Sequence, residues 1–429
     1  MMKKRILSVV ALIVLAALCM GVFGSCSRTT SANFFEYSED DLGIVGKLIY
    51  LMHKWIGNYG WTVVVFTVFL KIVMLPLDFW QRYSSRKSSL KMQRIQPLVE
   101  AIDKRYGANT PRSNEEKQKL YKKQGYSMSS MCLPMILSMV IFFIMFGGLR
   151  NYSTYSSIRS FQSLSGIYHD SFVEQIMQND ELVAQIEGKE GFENVFTKYE
   201  NAKNSQNARD ILVAQTNIIS AAKQVDAKLS VDYEQKALKD VKEWYSANHE
   251  SWLWIQNVWQ PDTWATIMQP YSGGSFDGGG FKTSIDLSDY PGEGEAIYNL
   301  IRGAVLESGG YGHNGRWNGL MILPLMSVGL SFLSTFIDQR MERKNRKGET
   351  MQQNQQQAAT NRTMMIIMPL MMAWFGFIYT GAFAIYMVVN SSLTIISTLA
   401  LRIPVEKFVL KQLDKDDAKN NSSKASYMR

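Results

Sequence analysis

Residues 60–81 read GWTVVVFTVFLKIVMLPLDFWQ, and this stretch decides the fold. About twenty mostly apolar residues from Trp61 to Trp80 are enough for a helix to cross a hydrocarbon core of roughly 30 Å. The two tryptophans stand where aromatic side chains anchor a helix at the membrane surface. Lys71 lies in the middle, with Thr67 one turn before it and Asp78 two turns after it on the same helical face. The stretch therefore predicts a membrane-spanning helix with a buried positive charge.

That charge admits two interpretations. An ammonium group at mid-membrane costs at least about 2.5–3.5 kcal/mol, so Lys71 is predicted to face protein or a water-filled cavity rather than lipid. A structural ion pair with a carboxylate on another helix is one interpretation. No aspartate or glutamate occurs inside any other predicted span, which favours a functional charge.

The 429 residues divide sharply into apolar segments and charged connections, which is typical of a polytopic membrane protein. After the first span at 61–80, we predict further spans at 131–149, 317–337, 363–379 and 382–401. The predicted fold class is therefore an all-α polytopic membrane protein with five transmembrane helices.

Nothing in the sequence indicates an enzyme. The three cysteines and four histidines show no disulfide or metal-ligand spacing. There is no nucleophile elbow or pair of catalytic carboxylates, and the glycine-rich residues 273–280 lack the context of a phosphate-binding loop, so they are predicted to form a flexible linker. We predict a non-enzymatic protein without a cofactor or a bound metal.

The first 26 residues have the pattern of a lipoprotein signal peptide. Basic residues precede an apolar run from Ile6 to Phe23, and Gly24-Ser25 precede Cys26, the predicted lipidation site. The alternative is an uncleaved first transmembrane helix. Residues 34–57 then carry apolar side chains at helical spacing, which predicts an amphipathic helix on the outer membrane surface.

Charge predicts which side of the membrane each connection occupies. Residues 82–128 contain twelve Lys/Arg against four Asp/Glu and are predicted to form a cytoplasmic helical hairpin, with Asn114 beginning its second helix. Basic patches also bind nucleic acid, but the topology rule explains this charge, so no specific nucleic-acid partner is predicted. The loop 338–362 and the tail 402–429, predicted to be disordered, are also net basic and lie on the same side. The N-terminus is therefore predicted outside and the C-terminus in the cytoplasm.

Residues 150–316 reverse this balance, with fourteen Lys/Arg against twenty-two Asp/Glu, a net charge of −8. They are predicted to form a helical extracytoplasmic insertion, with helices near 171–187, 207–228 and 232–247. The tryptophans between 252 and 264 predict a further helix at the membrane interface.

Two later spans carry polar stripes on one helical face. The first is Ser327, Ser331, Ser334, Thr335 and Asp338, and the second is Tyr386, Asn390, Thr394 and Ser397. Close packing of small residues against a neighbouring helix is the alternative explanation of the first stripe. Together with Lys71, the stripes favour a shared hydrophilic cavity.

Several short motifs in a fixed order resemble those of the YidC-type membrane protein insertases. They are Gly60-Trp61, Lys71…Pro76-Leu77, Met92…Gln96-Pro97, Cys132-Leu133-Pro134, Trp252-Leu253-Trp254-Ile255 with Pro261-Asp262, Met368-Pro369 and Gly381…Tyr386…Asn390. The resemblance implies five helices around a hydrophilic groove that is open to the cytoplasm and the lipid and closed outside. The positions it assigns to the groove are Lys71 (where the family usually has Arg), Thr67 and Tyr386. The polar stripes add Ser327, Ser331 and Asn390 to the predicted groove, and Ser138, where the family usually has Gln, completes it. It further implies that the hairpin, with Met92, Gln96 and Pro97, recruits nascent chains.

The expected function is insertion of hydrophobic segments of new proteins into the bacterial cytoplasmic membrane. The expected partners are nascent membrane proteins and membrane lipid, with the Sec translocon and the ribosome as further candidates. Two rival functions use the same features. A small-solute transporter would centre on Lys71 and predict inverted repeats or broken helices, which the sequence does not show. An adhesion or scaffold protein would work through residues 150–316.

Overall fold

The computed structural model describes residues 32–35, 37–107, 110–123, 129–273, 280–312, 316–345, 374 and 376–427. The predicted signal peptide with Cys26, the loop at 346–362 and most of the predicted span at 363–379 lie outside these residues. The major helices in the described part are α1 (Ile44–Ile56), α2 (Tyr59–Tyr106), α3 (Pro111–Lys123), α4 (Ser129–Met177), α5 (Asp180–Glu187), α6 (Val195–Ser205), α7 (Ala208–Val225), α8 (Ala227–Asn248), α9 (Gly294–Leu306), α10 (Ile322–Asn345) and α11 (Gly381–Tyr427).

Two helices in the described residues are long and apolar enough to cross a bilayer. They are the Tyr59–Lys91 part of α2 and the Gly381–Leu413 part of α11, and Ile322–Ile337 of α10 is a shorter apolar helix. Each of these carries a stripe of exposed apolar side chains, such as Ile72 on α2, Phe336 on α10 and Ile396 on α11. Exposed side chains of this size on one face of an apolar helix fit a lipid environment.

The first predicted span and the first hairpin helix form one continuous helix. α2 runs unbroken from Tyr59 to Tyr106 through Pro76 and Pro97, and ends at Gly107, whose φ is +82°. The second hairpin helix begins at Pro111 and not at Asn114, because proline already has the φ of a first helical residue and lacks the N–H that would be unpaired there. An ion pair of 2.5 Å between Lys117 and Asp103 joins the two arms.

A helical domain follows the second predicted span without interruption. α4 continues from Ser129 to Met177 and packs with α5–α9 around a core that includes Phe161, Tyr168 and Phe172. The range 171–187 is helical as predicted but is divided between two helices, because α4 ends at Met177 and Asn179 caps a new helix at Asp180. The predictions at 207–228 and 232–247 correspond to α7 and α8, whereas α6 and α9 were not predicted.

One buried histidine should make this domain sensitive to acid. His169 of α4 is buried, and burial lowers the pKa of its imidazole from 6.5 to about 4, although Nδ1 lies 2.8 Å from the Ser165 carbonyl. In the unfolded chain the imidazole of His169 is therefore protonated below about pH 6.5, whereas in the native domain it is protonated only below about pH 4. We expect protonation of His169 in the unfolded chain to lower the free energy of unfolding by about 3 kcal/mol as the pH falls from 6.5 to about 4.

The measurement is unfolding of the detergent-solubilised protein, followed by tryptophan fluorescence between pH 7 and pH 4. His169→Gln should be less stable than wild type at pH 7 and should lose less stability on acidification. Parallel pH profiles for the two proteins would contradict this assignment.

The amphipathic helix is shorter than predicted. α1 covers Ile44–Ile56, because Ala32–Asn33 form a strand, β1, that pairs in parallel with β2 (Ile285–Asp286), and Glu39–Asp41 form a 3₁₀ turn. Buried Ile49 joins a core with α2 and α4. The opposite face leaves Ile44, Leu51 and Trp55 exposed.

The tail after Arg402 is not disordered as far as the structure describes it. α11 continues from Gly381 to Tyr427, and Val405, Val409 and Leu413 are buried at successive turns. They pack against Phe79, Tyr83 and Leu90 of α2. Burial of this apolar stripe stabilises the helix beyond the predicted span.

Candidate functional site

Lys71 lies between α2 and α11 and has two polar partners. Its Nζ is 2.7 Å from Oδ2 of Asp78 on the same helix, and it donates to Oγ1 of Thr394 on α11 at 3.1 Å. Both side chains of the ion pair are 14% exposed. The predicted alternative of a carboxylate on another helix is therefore not what the structure shows. The ammonium is paired, and the carboxylate comes from its own helix.

Further polar pairs follow toward the C-terminal ends of both helices. Arg82 donates to Oγ1 of Thr398 at 2.6 Å, and Arg86 forms an ion pair of 3.0 Å with Glu406. The threonine hydroxyls donate to helix carbonyls four residues back, so their lone pairs are left to accept from the cations. We call Lys71, Asp78, Arg82, Arg86, Thr394, Thr398 and Glu406 the polar seam.

The remaining predicted groove residues on α2 and α11 lie close to this seam in sequence. Thr67 is buried one turn before Lys71, and its hydroxyl donates to the Val63 carbonyl at 2.6 Å. Tyr386 is buried with its ring beside Phe142 and Phe383. Asn390 is half-buried, and its carbonyl accepts from Thr394.

The predicted polar residues on other helices make local contacts. Ser327 and Ser331 on α10 donate to the backbone carbonyls of Pro324 and Ser327 on the same helix. α10 packs against α11, and Gly376 lies beside Ser327. Ser138 lies on α4, with its side chain outside the described residues.

The predicted recruitment residues lie in the C-terminal half of α2. Gln96 is half-buried and reaches Glu100 one turn later at 3.4 Å, and Pro97 is exposed. The side chain of Met92 lies outside the described residues.

A compact irregular segment lies against the N-terminal ends of α2, α10 and α11. Residues 251–262 were predicted as part of an interfacial helix, but they form turns, with Leu253 at a φ of +52°. We call them the cap segment. The Trp252 side chain fills the place that a Cβ at Gly60 would occupy, which explains the glycine in the first turn of α2. The cap carbonyls of Gln260 and Val258 accept from the first N–H groups of α11 at 2.8 and 3.2 Å.

A buried carboxylate attaches the cap segment to α10. Asp262 is fully buried and accepts hydrogen bonds from the N–H groups of Leu320 and Leu323, at 2.9 and 2.8 Å, and from Trp254 Nε1 at 3.2 Å. A negative charge at a helix N-terminus is stabilised by the helix dipole. α10 therefore starts at Ile322 and not at Trp317, which forms a backbone bridge with Tyr311 instead.

Asn318 completes this attachment and was missed by the sequence reasoning. It is fully buried; its Oδ1 accepts from the N–H of Asn257, and its Nδ2 donates to the carbonyls of Asn257, Gln260 and Pro261. In the sequence, the only local sign of this role was that Asn318 stands just before the apolar residues that begin at Leu320. Its partners are some 60 residues earlier, so local patterns could not assign them.

The chain matches the family model described as 60Kd inner membrane protein over residues 51–227 and 236–407. It is 39% identical over 113 residues to the membrane protein insertase YidC of Caldanaerobacter subterraneus subsp. tengcongensis, and these residues make up 26% of this chain and 53% of that protein. It is 32% identical over 104 residues to the YidC of Nitratidesulfovibrio vulgaris, covering 24% of this chain and 19% of that protein. The YidC of Campylobacter jejuni is 36% identical over 100 residues, covering 23% of this chain and 18% of that protein. The matches thus span about half of the first relative and less than a fifth of the other two.

Proposed function

The chain belongs to the 60Kd inner membrane protein family, and on that premise we propose that it is a membrane protein insertase. It moves hydrophobic segments of newly made proteins from the cytoplasm into the bilayer, without a cofactor. The observation that carries this proposal is the polar seam, which places the Lys71 ammonium between two helices that are long and apolar enough to span a membrane.

In the proposed topology, five helices cross the cytoplasmic membrane, with the N-terminus outside and the C-terminus inside. The basic residues 82–128 lie in the cytoplasm, so the polar seam runs from mid-membrane toward the cytoplasmic ends of α2 and α11. The cap segment and the helical domain lie outside. Support comes from the cap segment, which contacts the N-terminal ends of α2, α10 and α11, the ends that this topology puts outside.

The seam lowers the cost of bringing a polar end into the inner leaflet. Removing a charged or polar group from water is unfavourable unless it finds hydrogen bonds or an opposite charge. Lys71 and the Thr394 hydroxyl supply such groups at the α2–α11 interface. The apolar part of the client then passes along the exposed faces of the helices into lipid, and its burial contributes about 25 cal/mol per Å².

Nascent membrane proteins and lipid are the proposed partners, with Gln96 and Pro97 on the cytoplasmic part of α2 as contacts for the arriving chain. The side chain of Met92 is assigned the same role from the resemblance alone. Cooperation with the Sec translocon or the ribosome is a further proposal that rests on the family.

The direct test is reconstitution of the purified full chain into liposomes with a single-span client that has an acidic leading end. Protease protection of that end should be several-fold higher than in empty liposomes. A client without the hydrophobic segment is the matched control and should stay fully digestible. Equal protection with and without the protein would contradict an insertase.

A further inference from the structure

Asp78, whose carboxylate forms the ion pair with Lys71, is itself part of the polar seam. Two helical turns, roughly 10 Å along the axis, separate the Cα atoms of residues 71 and 78. The observed 2.7 Å contact between Nζ and Oδ2 therefore requires both side chains to extend toward each other along α2. The ammonium is held at the level of Thr394 on α11, and most of the pair's surface is excluded from solvent.

This pair is neutral as a unit, and its members depend on each other. The Thr394 hydroxyl accepts a hydrogen bond from Lys71 but does not compensate its charge. Within the described residues, the Asp78 oxygen that faces the ammonium has no other hydrogen-bond donor. Removing one partner of a largely buried ion pair leaves an uncompensated charge, which is strongly unfavourable. An acidic client group that binds Lys71 therefore competes with Asp78 for the charge of the ammonium.

A second cation is available to receive the displaced carboxylate. Arg82 lies four residues after Asp78 on the same helix, and an acidic residue four positions before a basic one is the favourable arrangement for a helical ion pair. Its guanidinium already lies in the polar seam, where Nη2 donates to Thr398 and leaves other N–H groups for a carboxylate. Asp78 can thus pass from Lys71 to Arg82 without being left uncompensated.

We propose that Asp78 is a specificity-determining residue, an internal carboxylate that occupies Lys71 until a client carboxylate takes its place and that then pairs with Arg82. The exchange makes the site favour clients whose leading end is acidic enough to compete, and it keeps the ammonium compensated when no client is present. This inference rests on the proposed insertase function and deepens it.

The test compares two single-span clients that differ only in Glu→Gln changes at the leading end. Their protease-protected fractions are measured in proteoliposomes that contain wild type, Asp78→Asn or Asp78→Glu. In Asp78→Asn the competitor is gone, so the ratio of acidic to neutral client inserted should rise about fivefold to tenfold. Asp78→Glu keeps the competitor and should stay within about twofold of wild type.

Arg82→Gln provides a second test that does not leave Lys71 unpaired. Without the alternative partner, Asp78 should stay on Lys71, and the acidic-to-neutral ratio should fall several-fold. Tryptophan fluorescence during thermal unfolding checks that each variant is folded.

The outcomes separate the two proposals. If wild type inserts neither client above the level of empty liposomes, the insertase function fails and this inference fails with it. If wild type inserts both clients but the ratio is unchanged in folded Asp78→Asn, or in Arg82→Gln where Asp78→Asn does not fold, only the role of Asp78 is overturned.

Discussion

Lys71→Ala is expected to lower insertion of a client with an acidic leading end about tenfold, whereas Lys71→Arg should retain most of the activity. At about 4 Å, two unit charges near a protein surface attract each other with about 4 kcal/mol. If the client carboxylate loses only about a third of this attraction, the rate of insertion falls about tenfold. Arginine keeps the charge and can still reach both Asp78 and Thr394, although its planar group has a different geometry. The assay is protease protection of the translocated end in reconstituted liposomes.

The ion pair makes a control necessary, because Lys71→Ala also leaves the Asp78 carboxylate without its partner. The double variant Lys71→Ala/Asp78→Asn removes both charges. If the attraction of Lys71 for the client causes the defect, the double variant should be as slow as the single one with acidic clients. Restored insertion in the double variant would attribute the defect to the orphaned carboxylate. Equal activity in wild type, Lys71→Arg and Lys71→Ala would remove the charge from the mechanism.

The sequence identified the central helix and its charge, but not the partner of that charge. Apolar length and the flanking tryptophans suffice to predict a span at 61–80, and α2 contains it. Asp78 was placed on the same face as Lys71, yet the ion-pair interpretation looked to carboxylates on other helices. Side chains seven residues apart meet only when both extend along the helix, and in that arrangement Lys71 also donates to Thr394 of α11. Which helix lies beside α2 cannot be read from a single sequence.

The helical tail could have been predicted from a local pattern, whereas the cap segment could not, because its turns depend on contacts with a distant part of the chain. The stripe of Val405, Val409 and Leu413 recurs every four residues and was a readable signal for the helical tail, but the charged residues between them suggested disorder instead. The cap segment gave no such signal. Its tryptophans and apolar residues are compatible with a helix, and hydrogen bonds to Asn318, in a distant part of the chain, determine its turns.

Asp262→Ala is expected to cause a large loss of stability on the outer side of the bundle. The substitution leaves the N–H groups of Leu320 and Leu323 and the indole N–H of Trp254 without their common acceptor in a buried place. Hydrogen bonds to a charged group contribute about 1.5–3 kcal/mol each, and a carboxylate at a helix N-terminus adds up to about 2 kcal/mol. Allowing for partial relaxation, we expect a loss of about 4 kcal/mol, which for a chain of 429 residues corresponds to a decrease of the unfolding temperature by about 5 °C.

Thermal unfolding in detergent, followed by tryptophan fluorescence, measures this loss. Asp262→Asn should lose about half as much, because its amide keeps one acceptor oxygen but no charge. Asp232→Ala is the matched control, since that carboxylate is exposed on α8 and its removal should change the unfolding temperature by less than about 1 °C. The cap segment also binds the first turn of α11, so in Asp262→Ala the outer ends of α10 and α11 should both become accessible to protease before global unfolding. Unchanged stability in Asp262→Ala would mean that this carboxylate does not hold the cap segment to α10.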